Sequence, residues 1–405
     1  MSNLRIFSAE EKRIVVLALA AALVGVLCIF SAGIPEATSI ARSQWFKQCL
    51  WVVAGFVAFL AVRRLSPDTL YRLAPYAYAA TVLACAFVLW LPGIEATNGA
   101  KRWISLGPFQ LQPGEFAKPA MILFFAWALS RRFPKLPEKW RGIPQVLDHI
   151  WPRLVPLLAA ALVFALIEME PDLGTAVFAL FIPFGMLLGG GARSLFERYG
   201  GRVVLGLTAF GIVLSVWFVF AQPYRLERFT TFHRADSREV VSGPAYQTFS
   251  SKTAIAVGGL RGVGPGRGHA KYVLPAATTD FIYTTMAEEF GVLALLLVVV
   301  LIGGLCLQLY RISVGIEDAF ARFVVQGTAW WIGLQTIGNL TMATGMLPPI
   351  GVPLPFFSYG GSSLVAIAVA LGCVCSIVKV TAAQEARSET NRYGRRYGRA
   401  RLSRS

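Results

Sequence analysis

The sequence predicts an all-α polytopic membrane protein of about ten transmembrane helices, with one large extracytoplasmic loop and both termini cytoplasmic. Three observations carry that prediction. Hydrophobic residues make up 56% of the 405 positions and charged residues only 15%, more apolar material than one soluble core can enclose. The apolar residues gather into stretches near the roughly 20 needed to cross a bilayer core of about 30 Å. Lysine and arginine are divided unequally between the alternate loops.

The stretches run over 14–33, 45–62, 74–92, 115–130, 154–168, 175–190, 203–221, 281–309, 323–345 and 361–380. The first exceeds the apolar core of a secretory signal, and neither an A-x-A site nor a lipoprotein site at Cys28 follows from its residues, so it is expected to remain as a span. The fifth and sixth are short and read as a broken pair around Pro171 and Gly174. With the N-terminus inside, the loops on its side hold 25 of the 38 Lys and Arg. Of the other 13, eight lie in the loop from Gln222 to Thr279, and long loops cross largely regardless of charge. The expected division is a cytoplasmic N-terminus at 1–13, a membrane domain at 14–380 with its large external loop at 222–280, and a basic cytoplasmic tail at 381–405.

The net charge of +16 is concentrated partly in that tail, between Arg387 and Arg404. A basic segment directly after a span meets anionic lipid headgroups more readily than nucleic acid, so no nucleic-acid partner is expected. The six cysteines lie in or beside spans without metal or disulfide spacing and read as packing residues. No repeat at a solenoid period and no soluble end domain is visible, which leaves the external loops and the polar residues sunk between helices.

Four segments stand out. Asn98 to Lys118, NGAKRWISLGPFQLQPGEFAK, is broken by glycine and proline. Arg102 and Trp103 suit a headgroup interface, and Glu115 and Lys118 share a helix face at i,i+3. An interfacial loop with a self-contained ion pair is the plain reading, but ionisable groups at the membrane boundary carry a presumption of function. Glu168 to Thr175, EMEPDLGT, sets three acids within five residues. Asp172 either caps the next span or lies on broken backbone, which membranes tolerate only when it is enclosed by protein or lines a wet cavity.

In the long external loop, Arg225, Arg228, Arg261 and Lys271 are among the cations, and six glycines lie between Gly258 and Gly268. Backbone N–H groups and cations in that arrangement can hold phosphate, although neither a G-K-[ST] ending nor a preceding strand makes it a P-loop, and a solvated loop is the alternative. Asp280 closes the loop as either the N-cap of the eighth span or a general base. Thr344 to Ser363, TGMLPPIGVPLPFFSYGGSS, contains four prolines and four glycines. It cannot be helical throughout, and Ser358 and Tyr359 are among the hydroxyls it offers.

Taken in order, NGAKRWISLG with LQPGEFAK, EPDLGTA, AIAVGGLRGVGPG with KYVLP, TDFI and EEFG, and LPPIGVPLPFFSYGGSSL resemble the signature of the SEDS family (shape, elongation, division and sporulation). The resemblance runs from about Trp45 to Lys379. Tyr224-Arg225-Leu226 and Lys271-Tyr272 are more similar to its division branch than to its elongation branch. It implies a peptidoglycan glycosyltransferase of the bacterial cytoplasmic membrane that polymerises lipid II outside that membrane. Its implied partners are a class B penicillin-binding protein and other division membrane proteins. By the same resemblance Asp280 matches the essential acid, and Arg102, Trp103, Glu115, Lys118 and Asp172 match further characteristic positions. Three departures accompany it. The family usually writes LPEAHTDF where this chain runs from Leu274 to Phe281 as LPAATTDF. Gly114 stands where serine is more frequent, and Glu170 where glutamine is usual.

The chemistry follows from the residues as well. An acceptor sugar hydroxyl displacing a lipid pyrophosphate needs a carboxylate near the hydroxyl and cations near the leaving group. Asp280 would be the base; Lys118, Arg225, Arg228, Arg261 and Lys271 are the cations available, directly or with a divalent ion, and no organic cofactor is implied. Two rival classes remain. A lipid flippase or transporter would show inverted repeats and broken helices at the midplane, and a non-catalytic scaffold would activate a separate synthase.

Overall fold

A computed structural model describes residues 8–34, 43–90, 102–106, 109–137, 143–170, 172–209 and 243–402. Helix α1 (Ala9–Ala32) opens with a capping box, in which Ser8 Oγ accepts from the Glu11 amide and the Glu11 carboxylate accepts from the Ser8 amide. The same carboxylate pairs with Arg63 at 2.7 Å, tying the start of α1 to the end of α2 (Gln44–Arg63). Helix α3 (Pro67–Trp90) follows. A short antiparallel ribbon of β1 (Ile104–Leu106) and β2 (Phe109–Leu111), with Ser105 opposite Gln110, then leads into α4 (Pro113–Ser130). The ribbon is a small departure from the all-α expectation.

Helix α5 (Ile143–Met169) has 27 residues, so the fifth span is not short. Its apolar stretch is only the membrane part of a helix that begins in polar sequence. The break expected after it is present, because α6 (Leu173–Met186) starts afresh with Asp172 as its N-cap. A π turn at Leu187–Gly191 joins α6 to α7 (Ala192–Phe196). The long loop contains α8 (Gly243–Gly258) and α9 (Ala270–Val273).

The stretch expected as one span at 281–309 is interrupted. It forms α10 (Ile282–Phe290), α11 (Val292–Val298) and, after a second π turn, α12 (Gly304–Gly315). Gly291 turns between α10 and α11 at φ 61°, where an added Cβ would lie 2.6 Å from the Leu260 carbonyl. Helix α13 (Ala319–Ala343) is capped by Asp318, and α14 (Gly361–Leu402) runs without a break from the membrane into the basic tail.

Burial explains the arrangement. Beyond the Glu115–Lys118 pair near its start, helix α4 is apolar all round and buried along almost its whole length, with α3, α5, α6, α13 and α14 packed around it. The peripheral α2 and α3 instead present Val53, Val57, Leu83 and Phe87 outward, as a bilayer requires. Among the described residues, seven helical segments are long and apolar enough to cross a membrane: Ala9–Ala32, Gln44–Arg63, Pro67–Trp90, Asp148–Met169, Leu173–Phe196, Val292–Gly315 and Gly361–Ala382. The protein is a multi-pass helical membrane protein.

Candidate active site

The four segments singled out in the sequence are joined by specific contacts. Asp280 is half-buried in the turn that precedes α10. Its carboxylate is not the helix cap, because the N-cap position falls on Phe281 and carries no side-chain hydrogen bond. Instead its Oδ2 faces Gly351 closely enough that a methyl there would lie 3.6 Å away. Asn339 Nδ2 donates both to the Asp280 carbonyl at 2.8 Å and to the Val352 carbonyl at 2.7 Å, fixing the acid's backbone to the proline-rich segment.

That segment is held to the Asp280 turn at two further points. Ser358 Oγ donates to the Thr279 carbonyl at 2.6 Å and accepts from the Leu354 amide, while the Tyr359 amide donates to the Thr278 carbonyl at 2.8 Å. The Ser358 hydroxyl is thus engaged by backbone on both sides. On the other flank α6 approaches so closely that a Cβ on Gly174 would lie 2.4 Å from the Ile350 carbonyl oxygen. Residues 350–352 therefore lie between the start of α6 and the Asp280 carboxylate.

Asp172 performs the capping expected of it and more. Its Oδ1 accepts from the Thr175 amide, and its Oδ2 accepts from Gln112 Nε2 at 2.5 Å and faces Arg102 Nη1 at 3.7 Å. The Gln112 backbone N–H in turn donates to Ser362 Oγ at 2.9 Å. The first, second and fourth segments thus meet at Asp172, with Arg102 still 29% exposed at the rim and Trp103 half-buried beside it. A family-usual serine at Gly114 would bring its Cβ only to 3.4 Å from Thr175, ordinary contact.

Two lysines expected among the pyrophosphate cations are enclosed. Lys118, 1% exposed, pairs with Glu115 at 2.7 Å and donates to Gln335 Oε1, which also accepts from Trp331 Nε1. Lys271 pairs with Glu289 at 3.0 Å and donates to the Gly266 carbonyl. Glu289 accepts from Ser31 Oγ as well, and Glu288 accepts from the Ala270 amide. The amides of Val263 and Gly264 are taken up by the carbonyls of Glu288 and Glu289. Several N–H groups expected to face an anion are thus already bonded, and Gly262 and Gly268 serve close packing against these two acids. Arg261 is exposed on this turn, beside Leu260 at 80% exposure. Arg225 and Arg228 lie outside the described residues.

Gln112, Gln335 and Asn339 were not singled out from sequence. Trp331, Gln335 and Asn339, spaced four apart in an otherwise apolar helix, mark one polar face of α13, and that periodicity was the available signal. Among the described residues there is no cluster of three or more His, Cys, Asp or Glu able to hold a metal ion.

Fold and site define a helical membrane protein with a carboxylate-bearing, backbone-braced site. The chain belongs to the FtsW/RodA/SpoVE family of cell cycle proteins, whose model matches residues 11–383. It is 31% identical over 362 residues to the Haemophilus influenzae protein named "Probable peptidoglycan glycosyltransferase FtsW", covering 88% of this chain and 86% of that one. It is 33% identical over 302 residues to stage V sporulation protein E of Bacillus subtilis, covering 73% and 77%. Among solved structures it is similar to a chain of a peptidoglycan synthase complex that coordinates polymerization and crosslinking. The TM-score is 0.70 and the identity 28%, over 90% of this chain and 96% of that chain. It is also similar to the rod shape determining protein RodA of Thermus thermophilus, with a TM-score of 0.63 and 25% identity over 93% and 98%.

Proposed function

We propose that this protein is a peptidoglycan glycosyltransferase that polymerises lipid II into glycan strands at the outer face of the bacterial cytoplasmic membrane during division. The observation that carries the reading is the fixing of the Asp280 turn to Asn339 and to the proline-rich segment, which itself packs against the start of α6, in a chain of the FtsW/RodA/SpoVE family. In this reading ten spans cross the membrane with both termini inside, and the loop at 222–280 is external. The membrane domain covers 14–380, the N-terminus 1–13, and the tail at 381–405 meets anionic lipid.

The reaction asks little covalent chemistry of the protein. The acceptor hydroxyl oxygen attacks the anomeric carbon of the lipid-linked donor, the carbon–oxygen bond to pyrophosphate breaks, and the hydroxyl proton passes to Asp280. Arg102 at the rim and the exposed Arg261 hold the departing pyrophosphate, with Arg225 and Arg228 as further cations of the same loop. Trp103 and Tyr359 flank the sugar. Asp172 and Ser358 brace these groups, whereas Lys118 with Glu115 and Lys271 with Glu289 keep two buried corners of the frame charged and neutralised in place. Charge neutralisation of pyrophosphate by a divalent cation is compatible with this arrangement. A class B penicillin-binding protein crosslinks the product, a partnership supported by the likeness to the synthase complex.

The test is to supply purified protein, alone and with its transpeptidase partner, with lipid II and to follow chain length, running Asp280→Asn and Ala276→Glu in parallel. Chains from the wild type and none from Asp280→Asn are expected. Absence of chains from all three with the partner present would favour the scaffold, a reading to which the missing acid at Ala276 lends support.

A further inference from the structure

Among the described residues, Glu170 is the fully buried acid whose two carboxyl oxygens both lack a hydrogen-bond partner of ordinary geometry. It follows the end of α5, two residues before Asp172, the carboxylate that faces the guanidinium of Arg102 at 3.7 Å. Arg102 carries the complementary defect, because its Nε is buried and has no partner among the described residues either. An unused donor and two unused acceptors thus lie around one ion pair.

The groups that act on Glu170 come from three elements: Asp172 at the start of α6, the weakly donating thiol of Cys85 from α3, and Arg102 ahead of β1. Burial first, and the neighbouring Asp172 second, push its carboxyl from an ordinary 4.5 up to about 8, against the opposing pull of Cys85 and Arg102. A glutamine at this position could not titrate. This chain has placed an acid there.

We propose that Glu170 is a proton-gated positioning residue for Arg102: while it carries its proton Arg102 stays on Asp172 at the rim, and when it ionises it draws the guanidinium inward through the unused Nε. Arg102 then leaves the external surface, and its capacity to hold an anionic lipid headgroup goes with it. The proposal concerns the same rim as the polymerase reading and deepens it, but two of its three readouts do not depend on any enzymatic activity.

The sign follows from the direction of the shift. The native state binds more protons than the unfolded state between the two titrations, so stability falls as pH rises from about 4.5 to about 8 and levels off above. Infrared titration of the purified wild type should show a protonated-carboxyl stretch that disappears between about pH 7 and 9 and is missing in Glu170→Gln. In vesicles of neutral lipid, a short polyprenyl pyrophosphate should bind the wild type about tenfold more weakly at the alkaline end, the loss of one charge-assisted contact, and bind Glu170→Gln equally at both ends. Polymerisation of lipid II, the third readout, should show the same alkaline limb in the wild type only.

Identical pH dependence in wild type and Glu170→Gln, or no carboxyl proton released by the wild type in that window, overturns the proposal. Should Glu170→Gln not fold, Arg102→Gln serves instead. Removing the cation must move the infrared midpoint upward, and an unmoved midpoint is equally fatal. Polymerisation absent throughout, with the binding difference present, would sink the enzymatic reading and leave this one standing.

Discussion

Asn339 spans two backbones: one amide nitrogen donates to the carbonyls of Asp280 and Val352, at 2.8 Å and 2.7 Å. A single side chain from the middle of the bundle therefore sets the spacing between the candidate base and the segment that faces it. Asn339→Ala leaves both carbonyls short of a partner at a cost of about 1–3 kcal/mol. The expected result is a lower unfolding temperature together with slower chain growth. Thermal unfolding and lipid II polymerisation on the same preparation check it, and unchanged polymerisation would remove Asn339 from the site's frame.

Asp280→Asn separates chemistry from fold. The carboxylate does not cap α10, so the isosteric amide should leave stability, membrane insertion and partner binding nearly unchanged. A general base contributes roughly 10²- to 10⁴-fold in rate, and a loss of that size in polymerisation is expected. Chain growth at the wild-type rate would end the assignment of Asp280 as base.

The two cations of the glycine-rich turn should behave differently. Lys271→Met leaves Glu289 buried and unpaired, which costs about 3–5 kcal/mol and responds little to salt. Arg261 is exposed, so Arg261→Gln should spare stability and weaken binding of lipid II. That weakening should shrink as salt rises, because exposed charges are screened over about 8–10 Å. Measuring denaturation and binding for both variants at low and high salt distinguishes them; equal effects would show that burial does not divide their roles.

Orientation is testable by single cysteines. The charge division predicts Gly264 outside and Ser194 inside. In intact cells an impermeant thiol reagent should label Gly264→Cys and spare Ser194→Cys. The reverse pattern would turn the protein over and carry Asp280 into the cytoplasm.

Sequence alone determined what depends on composition and on neighbours along the chain. Apolar runs specify spans because a bilayer demands about 20 such residues. Asp172 was legible as a cap, and Glu115 with Lys118 as a pair, because three-residue spacing already brings their groups together on a helix. The ordered motifs between Trp45 and Lys379 were legible for the same reason, each being short and local. The break at Gly291 was not, since only its left-handed turn against Leu260 reveals it.

Tertiary structure decided which charges are used up and which remain. Lys271 and Glu289 are 18 residues apart, Asn339 and Asp280 are 59 apart, and Gln112 and Ser362 are 250 apart, so no local periodicity links them. A buried charge must find its counterpart wherever packing supplies one, because leaving it unpaired in a medium of low dielectric costs several kcal/mol. That requirement enclosed Lys118 and Lys271, kept Arg102 partly exposed at the rim, and left Glu170 with only the weakly donating thiol of Cys85 among the described residues.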